Sequence, residues 1–382
     1  MATSNKTKKI MYITTPEWWD TDVSLIPTIV KNNDVELHII VLLSSVVLKY
    51  TYSDIKKFCD DQGLFFTALQ RTHKIRHISN FFIALKVLHA IKKAKSPVIV
   101  YLYCIDLYLN TLFIFLRKKM IVSFHNYIEH KGTNKASSEN IYKKVFIRFY
   151  RYFHFHSDYQ RKLFLKDFPE KKSFFTTMPL KDYGVFTGTP VKTDKKELLF
   201  FGYIREYKNL AMLIRSVEEV DGLAIRLTIA GKCDDFSEYD KLISRDELFN
   251  RQIRFIKNEE VPYFFSNADY IVLPYADSTQ SGPMLIAMNY TVPIIASDIP
   301  PFNAIIKNKI NGFLFDVKNP GSLTRVLYDA GNLTDHDYRI IKDNFSKTVT
   351  AYQEKVMLNH SSFRSFLDTI TTDNKNRFTL KM

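Results

Sequence analysis

Short apolar runs alternate with longer amphipathic ones from Lys9 onward, and this alternation limits the fold more than any other feature of the chain. KIMYIT is followed by a helical stretch at 24–31, then by VELHIIVLL, and later by VIVYLY and MIVSFH. Strand-like runs separated by helix-period segments predict parallel strands joined by crossover helices, an α/β architecture. The stretch TGTPVKTDK at 187–195 breaks the rhythm, being short, polar and turn-rich, and reads as a linker. The alternation then restarts with ELLFFGY, LAMLIRSVEEV, IRLTIAGK, a helix near 239–248, IRFIK, VPYFFSN, DYIVLPY, PMLIAMNY, VPIIAS and NGFLF, and helical segments follow from about Ser322. At 382 residues the chain exceeds what one core holds, which is roughly 250 residues. The expectation is two Rossmann-like domains with parallel sheets, 1–186 and 196–350, a linker at 187–195, and a helical segment 351–382 packing back on the first. Ligands of such sheets bind at the carboxyl ends of the strands.

Composition excludes other classes. With 46% hydrophobic and 25% charged residues the chain is neither disordered nor fibrous. Its 54 Lys+Arg against 40 Asp+Glu leave +14, which calls for an anionic partner: nucleic acid, a membrane surface or a phosphorylated small molecule. Cys59, Cys104 and Cys233 are too few and too scattered for a disulfide framework or a metal spacing, so a reducing compartment fits. The stretch after Lys9 is interrupted by Thr14, Pro16 and Glu17, unlike a signal peptide. The run 98–116, VIVYLYCIDLYLNTLFIFL, is nearly long enough to span a bilayer. Asp106 opposes that at about 2.5–3.5 kcal/mol, and VIVYLYC reads instead as a buried strand leading into a helix.

Two turns in the second half carry candidate chemistry. After ELLFFGY, the segment GYIREYKNL places Arg205 and Lys208 where a strand turns into a helix. Free backbone N–H groups, the positive end of the helix dipole and two cations suit a diphosphate; the plain alternative is two surface cations near a helix start. No dinucleotide fingerprint or Walker A loop is present. Further on, the polar turn Ser278-Thr279-Gln280-Ser281-Gly282 leads into a helix at Pro283, where proline is well tolerated. Gly282 allows close backbone approach, and amides from Ser281 to Leu285 can hold phosphate oxygens, unless this is only a capped helix.

The segments FFGYIREYKNLAMLI, LTIAGK, RFIKNEEVPYFFSNADYIVLPY, TQSGPMLIAM, TVPIIASD and NGFLF, spread over about 197–330, resemble the nucleotide-sugar domain of GT-B glycosyltransferases of glycosyltransferase family 4. The resemblance implies that Arg205 and Lys208 contact the donor diphosphate after Gly202. It also implies that the region 255–258, with Asn258, lies where the base is read, and that Thr279, Gln280, Ser281, Gly282 and Pro283 lie beside sugar and phosphates. The family commonly carries two Glu around this last helix; here those places hold Ser278 and Ile286, as in a TQSG branch of capsule and exopolysaccharide transferases. TPEWWDTDVSLI, VSFHNYIEHKG and HSDYQRKLF are similar to acceptor-domain elements. His125 follows a strand and is a catalytic candidate or a structural residue, with Glu129 and His130 in the same loop. Asp20 and Asp22 follow the first strand as candidate general bases, Asp22 alternatively as a helix cap. Trp18 and Trp19 are a sugar-stacking platform or core.

Between Phe113 and Lys172 fourteen cations face five anions. The interleaved IYKKVFIRFYRYFHFH reads as a basic amphipathic helix for an anionic membrane face, or as a solvated face over an aromatic stripe. No nucleic-acid-binding signature appears. The expected function is transfer of a sugar from a nucleotide-diphosphate sugar to a hydroxyl of a lipid-linked glycan at the inner membrane face, by a cytoplasmic peripheral protein. Two cations and a helix terminus can stabilise the leaving group, so no metal or other cofactor is expected. A non-catalytic homologue binding nucleotide sugar or glycan, or a sugar-nucleotide epimerase, are the alternatives.

Overall fold

The computed structural model describes residues 8–33, 35–43, 50–72, 77–104, 106–124, 127, 137–191 and 193–379. They fall into two compact units, one drawn from Met1–Ile128, Asn134–Pro179 and Lys355–Met382 and the other from Leu180–Glu354.

The first unit holds seven strands: β1 (Lys8–Thr14), β2 (Val35–Leu43), β3 (Phe65–Gln70), β4 (Val98–Leu102), β5 (Met120–Phe124), β6 (Tyr152–Phe155) and β7 (Lys172–Phe175). All pair in parallel in the order β3-β2-β1-β4-β5-β6-β7. Strands β4 and β5 are buried at every residue, the outcome expected when unbroken apolar runs are covered on both faces. The run 98–116 is thus β4, a short helix Leu107–Leu112 and a turn Phe113–Leu116, with Asp106 capping the helix through Leu109 N at 2.9 Å. Among the described residues no helix is long and apolar enough to cross a membrane. The aromatic run after Lys143 is not one helix: the helix Ser137–Phe149 stops, and Tyr152–Phe155 is β6, buried throughout between β5 and β7. Aromatic residues on successive positions pack both faces of a pleated strand, whereas a surface helix would expose half of them.

The second unit has six: β8 (Lys196–Phe201), β9 (Ile225–Ala230), β10 (Phe249–Gln252), β11 (Tyr270–Leu273), β12 (Ile294–Ser297) and β13 (Gly312–Phe315), parallel in the order β10-β9-β8-β11-β12-β13. The chain passes between units at Pro179–Leu180, ahead of the polar stretch 187–195. The segment after Leu180 is fastened to the second unit: Tyr290 Oη donates to Gly184 O at 2.7 Å, and Asn267 Oδ1 accepts from Val191 N at 2.6 Å. The helix expected near 239–248 is instead a short helix Ser237–Asp240 and a turn Asp246–Leu248. The Glu218 carboxylate takes Ser244 N at 2.8 Å and Arg245 N at 3.0 Å, offering the backbone a partner other than a helix. Two last helices, Asp335–Ser361 and Phe363–Thr379, lead into the first unit, where Phe363, Leu367 and Ile370 join the core around Ile10, Tyr12 and Val35.

Burial reassigns two residues of the first unit. Trp19 is 1% exposed and packs edge-on against Phe58 at 5.5 Å, so it is core and not a sugar platform. Asp22 is wholly buried inside the helix Trp19–Asn33, neither capping it nor open to solvent, and its carboxyl oxygens accept from Tyr12 Oη at 2.7 Å and Thr14 Oγ1 at 2.6 Å. Burial is the main cause that pushes this carboxyl from 3.8 up to about 7, against the two hydrogen bonds. The folded state therefore binds a proton that the unfolded chain has released, so stability is full below about pH 4 and falls as pH rises through about 7. Asp22→Asn removes the titration. The expected result in urea unfolding is a smaller stability loss between pH 5 and pH 8 than in the parent, with equal losses counting against the assignment.

Candidate functional site

A parallel sheet whose strand order reverses sends the loops of the two central strands to opposite faces and opens a crevice at their carboxyl ends. In the second unit that reversal lies between β8 and β11. Gly202, φ +96°, follows β8, and a Cβ built on the neighbouring Gly231 would stand 2.1 Å from Gly202 O. Only glycine permits this approach of β8 and β9, which brings the next turn to the mouth of the crevice. Ala276 N donates to Tyr207 O at 2.8 Å, tying the turn Glu206–Lys208 to the loop that follows β11.

Lys208 is 6% exposed, and no hydrogen bond or ion pair among the described residues engages its Nζ. The ammonium stands 3.2 Å from where a Cβ on Gly202 would lie, with Pro283 Cγ 3.6 Å from the same point, and 5.7 Å from the Tyr275 ring centre. Desolvation, helped by the like charge of Arg205, lowers it from 10.5 to about 7. Arg205 is exposed, lies 4.0 Å over the Tyr203 ring and reaches Asp234 Oδ2 at 3.3 Å. It is held by an exposed partner that an anion can displace.

The helix Gly282–Asn289 brings in the second predicted turn. Ser281 caps it, its Oγ accepting from Met284 N at 3.2 Å, and Ser278 Oγ donates to Gln280 O at 3.0 Å. Thr279 is buried and Gln280 half-buried beside them. Gly202, Lys208, Gly282 and Pro283 therefore share one corner, with Arg205 at its edge. Ile286, in the place where the resemblance puts a Glu, is core with Leu199 and Leu273; a carboxylate there would be buried. Asn258 opens the turn Asn258–Glu260 beyond β10, and its Oδ1 is buried without a hydrogen-bond partner among the described residues. A buried acceptor in this state is a place for a ligand donor.

In the first unit the order reverses between β1 and β4. Trp18 ends the turn Pro16–Trp18, half-buried, and Asp20 accepts a hydrogen bond from Tyr50 Oη. His125, Glu129 and His130 lie outside the described residues. Sequence reading passed over Arg71, which follows β3 and faces Asp106 after β4 at 3.7 Å. It also passed over Lys181, whose ammonium lies beside Gly282. Neither stands in a local pattern; only strand pairing and chain reversal bring them to these places.

Several solved structures share the architecture. Sucrose-phosphate synthase from Thermosynechococcus elongatus aligns over 95% of this chain and 99% of its own at a TM-score of 0.66 and 12% identity. Alr3699/HepE of Anabaena in complex with UDP aligns over 98% and 100% at 0.64 and 12%. The apo form of WaaB, a lipopolysaccharide outer core galactosyltransferase, aligns over 94% and 99% at 0.62 and 15%. The fold is GT-B. Residues 186–344 match the family model described as Glycosyl transferases group 1. No curated protein sequence matches the chain. The matched stretch contains every residue gathered at the β8–β11 corner except Lys181, and GT-B fold and domain together support a glycosyltransferase.

An anion seated at Lys208 favours its charged form and draws a proton onto it whenever the free protein is above about pH 7. Affinity for UDP should therefore fall as pH rises from 7 to 9. Calorimetry at pH 8.5 in two buffers of different ionisation enthalpy should register uptake of close to one proton, abolished in Lys208→Arg. Zero uptake by the parent would remove Lys208 from the anion's contacts.

Proposed function

We propose that the protein transfers a sugar from a nucleotide-diphosphate sugar to a glycan hydroxyl. The observation that carries this is the buried Lys208, whose ammonium no hydrogen bond or ion pair among the described residues engages, set between Gly202 and Pro283 at the strand-order reversal. Burying a cation costs several kcal/mol when nothing balances it, and a diphosphate is the ligand whose charge and size match Lys208, Arg205 and the start of the helix Gly282–Asn289. In the transition state the diphosphate gains charge as the glycosidic bond breaks, and the two cations with the helix amides stabilise it preferentially. These groups supply the leaving-group stabilisation without a metal. The Asn258 carbonyl accepts from the base. UDP in the Anabaena neighbour supports a uridine donor. On the acceptor side, His125 and Asp20 are the groups offered for proton transfer, with Glu129, His130 and Trp18 for acceptor contacts; buried Asp22 acts by holding β1 to the following helix.

The proposed acceptor is lipid-linked and the proposed station is the inner membrane face. Two connections in the first unit support this, because parallel neighbours β5 and β6 begin at the same sheet edge. Arg117, Lys118 and Lys119 precede β5; Lys144 and Arg148 precede β6, all exposed. Phe115 is 81% exposed there, with Val145 and Phe149 half exposed on the helix Ser137–Phe149. Lys143 is excluded, its Nζ buried against Tyr127 O and the Phe124 ring. Each cation near anionic lipid contributes about 1 kcal/mol. Strands of this length span about 15 Å, so an acceptor at the opposite, carboxyl edge reacts some way from the lipid, at the end of an oligosaccharide.

Arg205→Ala and Lys208→Ala should each lower turnover at least a hundredfold while leaving the unfolding midpoint within a few degrees; rates near the parent's would refute the assignment. Reversing Arg117, Lys118, Lys119 and Arg148 to Glu should abolish co-sedimentation with phosphatidylglycerol vesicles at low salt. Retained vesicle binding would remove this edge as the docking face.

A further inference from the structure

We propose that Arg71 recognises the acceptor through sugar hydroxyls, so that the acceptor residue received here is a neutral sugar; this deepens the transfer reading above and rests on it. Arg71 follows β3, and its backbone N donates to Leu43 O at 2.8 Å, at the end of β2. In the sheet order β3-β2-β1-β4 the outer two strands stand three intervals apart, about 14 Å at roughly 4.8 Å each. The guanidinium nevertheless comes within 3.7 Å of Asp106 after β4. The side chain and the loops it joins therefore lie across the carboxyl ends of β2 and β1, beside the strand-order reversal of the first unit. Only 13% of the Arg71 side chain is exposed, and its Nε is buried without a partner. An N···O separation of 3.7 Å is beyond hydrogen-bond reach, so among the described residues no hydrogen bond engages the guanidinium, which carries five N–H donors.

A tie between two loops does not account for this arrangement, because both loops are held without it. After β4, Asn110 Nδ2 donates to Cys104 O at 3.0 Å, Tyr101 Oη donates to Asn110 Oδ1 at 2.8 Å, and Asp106 Oδ1 takes Leu109 N at 2.9 Å. After Arg71, Asn80 Oδ1 accepts from Thr72 N at 3.0 Å. A largely buried guanidinium fixed in place and left without hydrogen bonds is a donor set held ready for a ligand. Charge decides which ligand. Asp106 is 1% exposed, and Glu17, on the turn after β1, also acts on Arg71 as a charge. A carboxylate or phosphate entering here meets two anions, and a cation meets the guanidinium. A hydroxyl suits both, having one donor and two acceptor positions: set between Nη1 and Asp106, it accepts from one and donates to the other. The planar fork offers further N–H groups to a hydroxyl on the adjoining carbon, and neighbouring hydroxyls are what a neutral sugar presents.

The test is a saturation-transfer NMR titration of the full chain with methyl α-glucoside, methyl α-mannoside and methyl β-galactoside, beside two charged probes, methyl β-glucuronide and glucose 6-phosphate. The expected result is binding of at least one neutral glycoside, at least tenfold tighter than either charged probe. Arg71→Gln should weaken that binding at least tenfold. Arg71→Lys keeps a charge beside Asp106 but not the planar fork, and should weaken it at least fivefold, whereas a purely structural ion pair would survive the change. An unfolding midpoint and a UDP affinity close to the parent's report folded variants; if Arg71→Gln does not fold, the Lys variant decides. No binding of any neutral glycoside, a preference for a charged probe, or full binding by Arg71→Lys overturns the inference. Absence of UDP binding by the parent, read separately by calorimetry, overturns the donor-site reading instead, so the two failures are told apart.

Discussion

The reversal of strand order between β8 and β11 is the constraint on which the second unit's chemistry depends. Crossovers between parallel strands keep one hand, so once β8 runs outward through β9 to β10 and β11 runs the other way, their loops part. The gap is closed by a few contacts. Gly202 and Gly231 let β8 and β9 end in near contact, and Ala276 N holds Tyr207 O across the gap. Residues more than seventy positions apart in the chain thereby share one corner.

That corner holds a cation under conditions that disfavour it. Lys208 is desolvated beside Gly202, Tyr275 and Pro283, and no carboxylate among the described residues answers it, while the exposed Arg205 is answered by Asp234. The contrast separates two uses of positive charge. One cation is buried at a cost in stability, and the other stands at the surface beside an exposed carboxylate. Strain and desolvation of this kind persist where the surrounding core over-determines them, here through Ile286, Leu199 and Leu273 beneath the turn.

Much of this was legible beforehand. Largely apolar runs such as VIVYL and MIVSF became fully buried parallel strands, and the TQSGP turn became a capped helix start with Ser281 as its cap. What misled were residues whose type suits two environments. Trp19 and Asp22 follow the first strand, where cleft residues stand, yet the helix Trp19–Asn33 begins early enough to turn both into the core. The run RYFHFH looks like a helix face by charge, but burial on both faces made Tyr152–Phe155 the strand β6. The helix near 239–248 dissolved because Glu218, far upstream, supplies its backbone with other partners.

The amino-acid sequence by itself determined the two-sheet α/β architecture and the turns after β8 and before the helix Gly282–Asn289, because strand period, turn residues and helix caps are local and are written within a few positions. It also located the excess of positive charge. Tertiary structure alone decided which cations are stored and which are solvated, that Lys181 meets Gly282, that Arg71 meets Asp106, and that Lys143 is lost to the surface while Arg117, Lys119 and Arg148 share one edge. Those outcomes depend on strand order and desolvation, which arise from contacts between distant segments and leave no periodic mark along the chain.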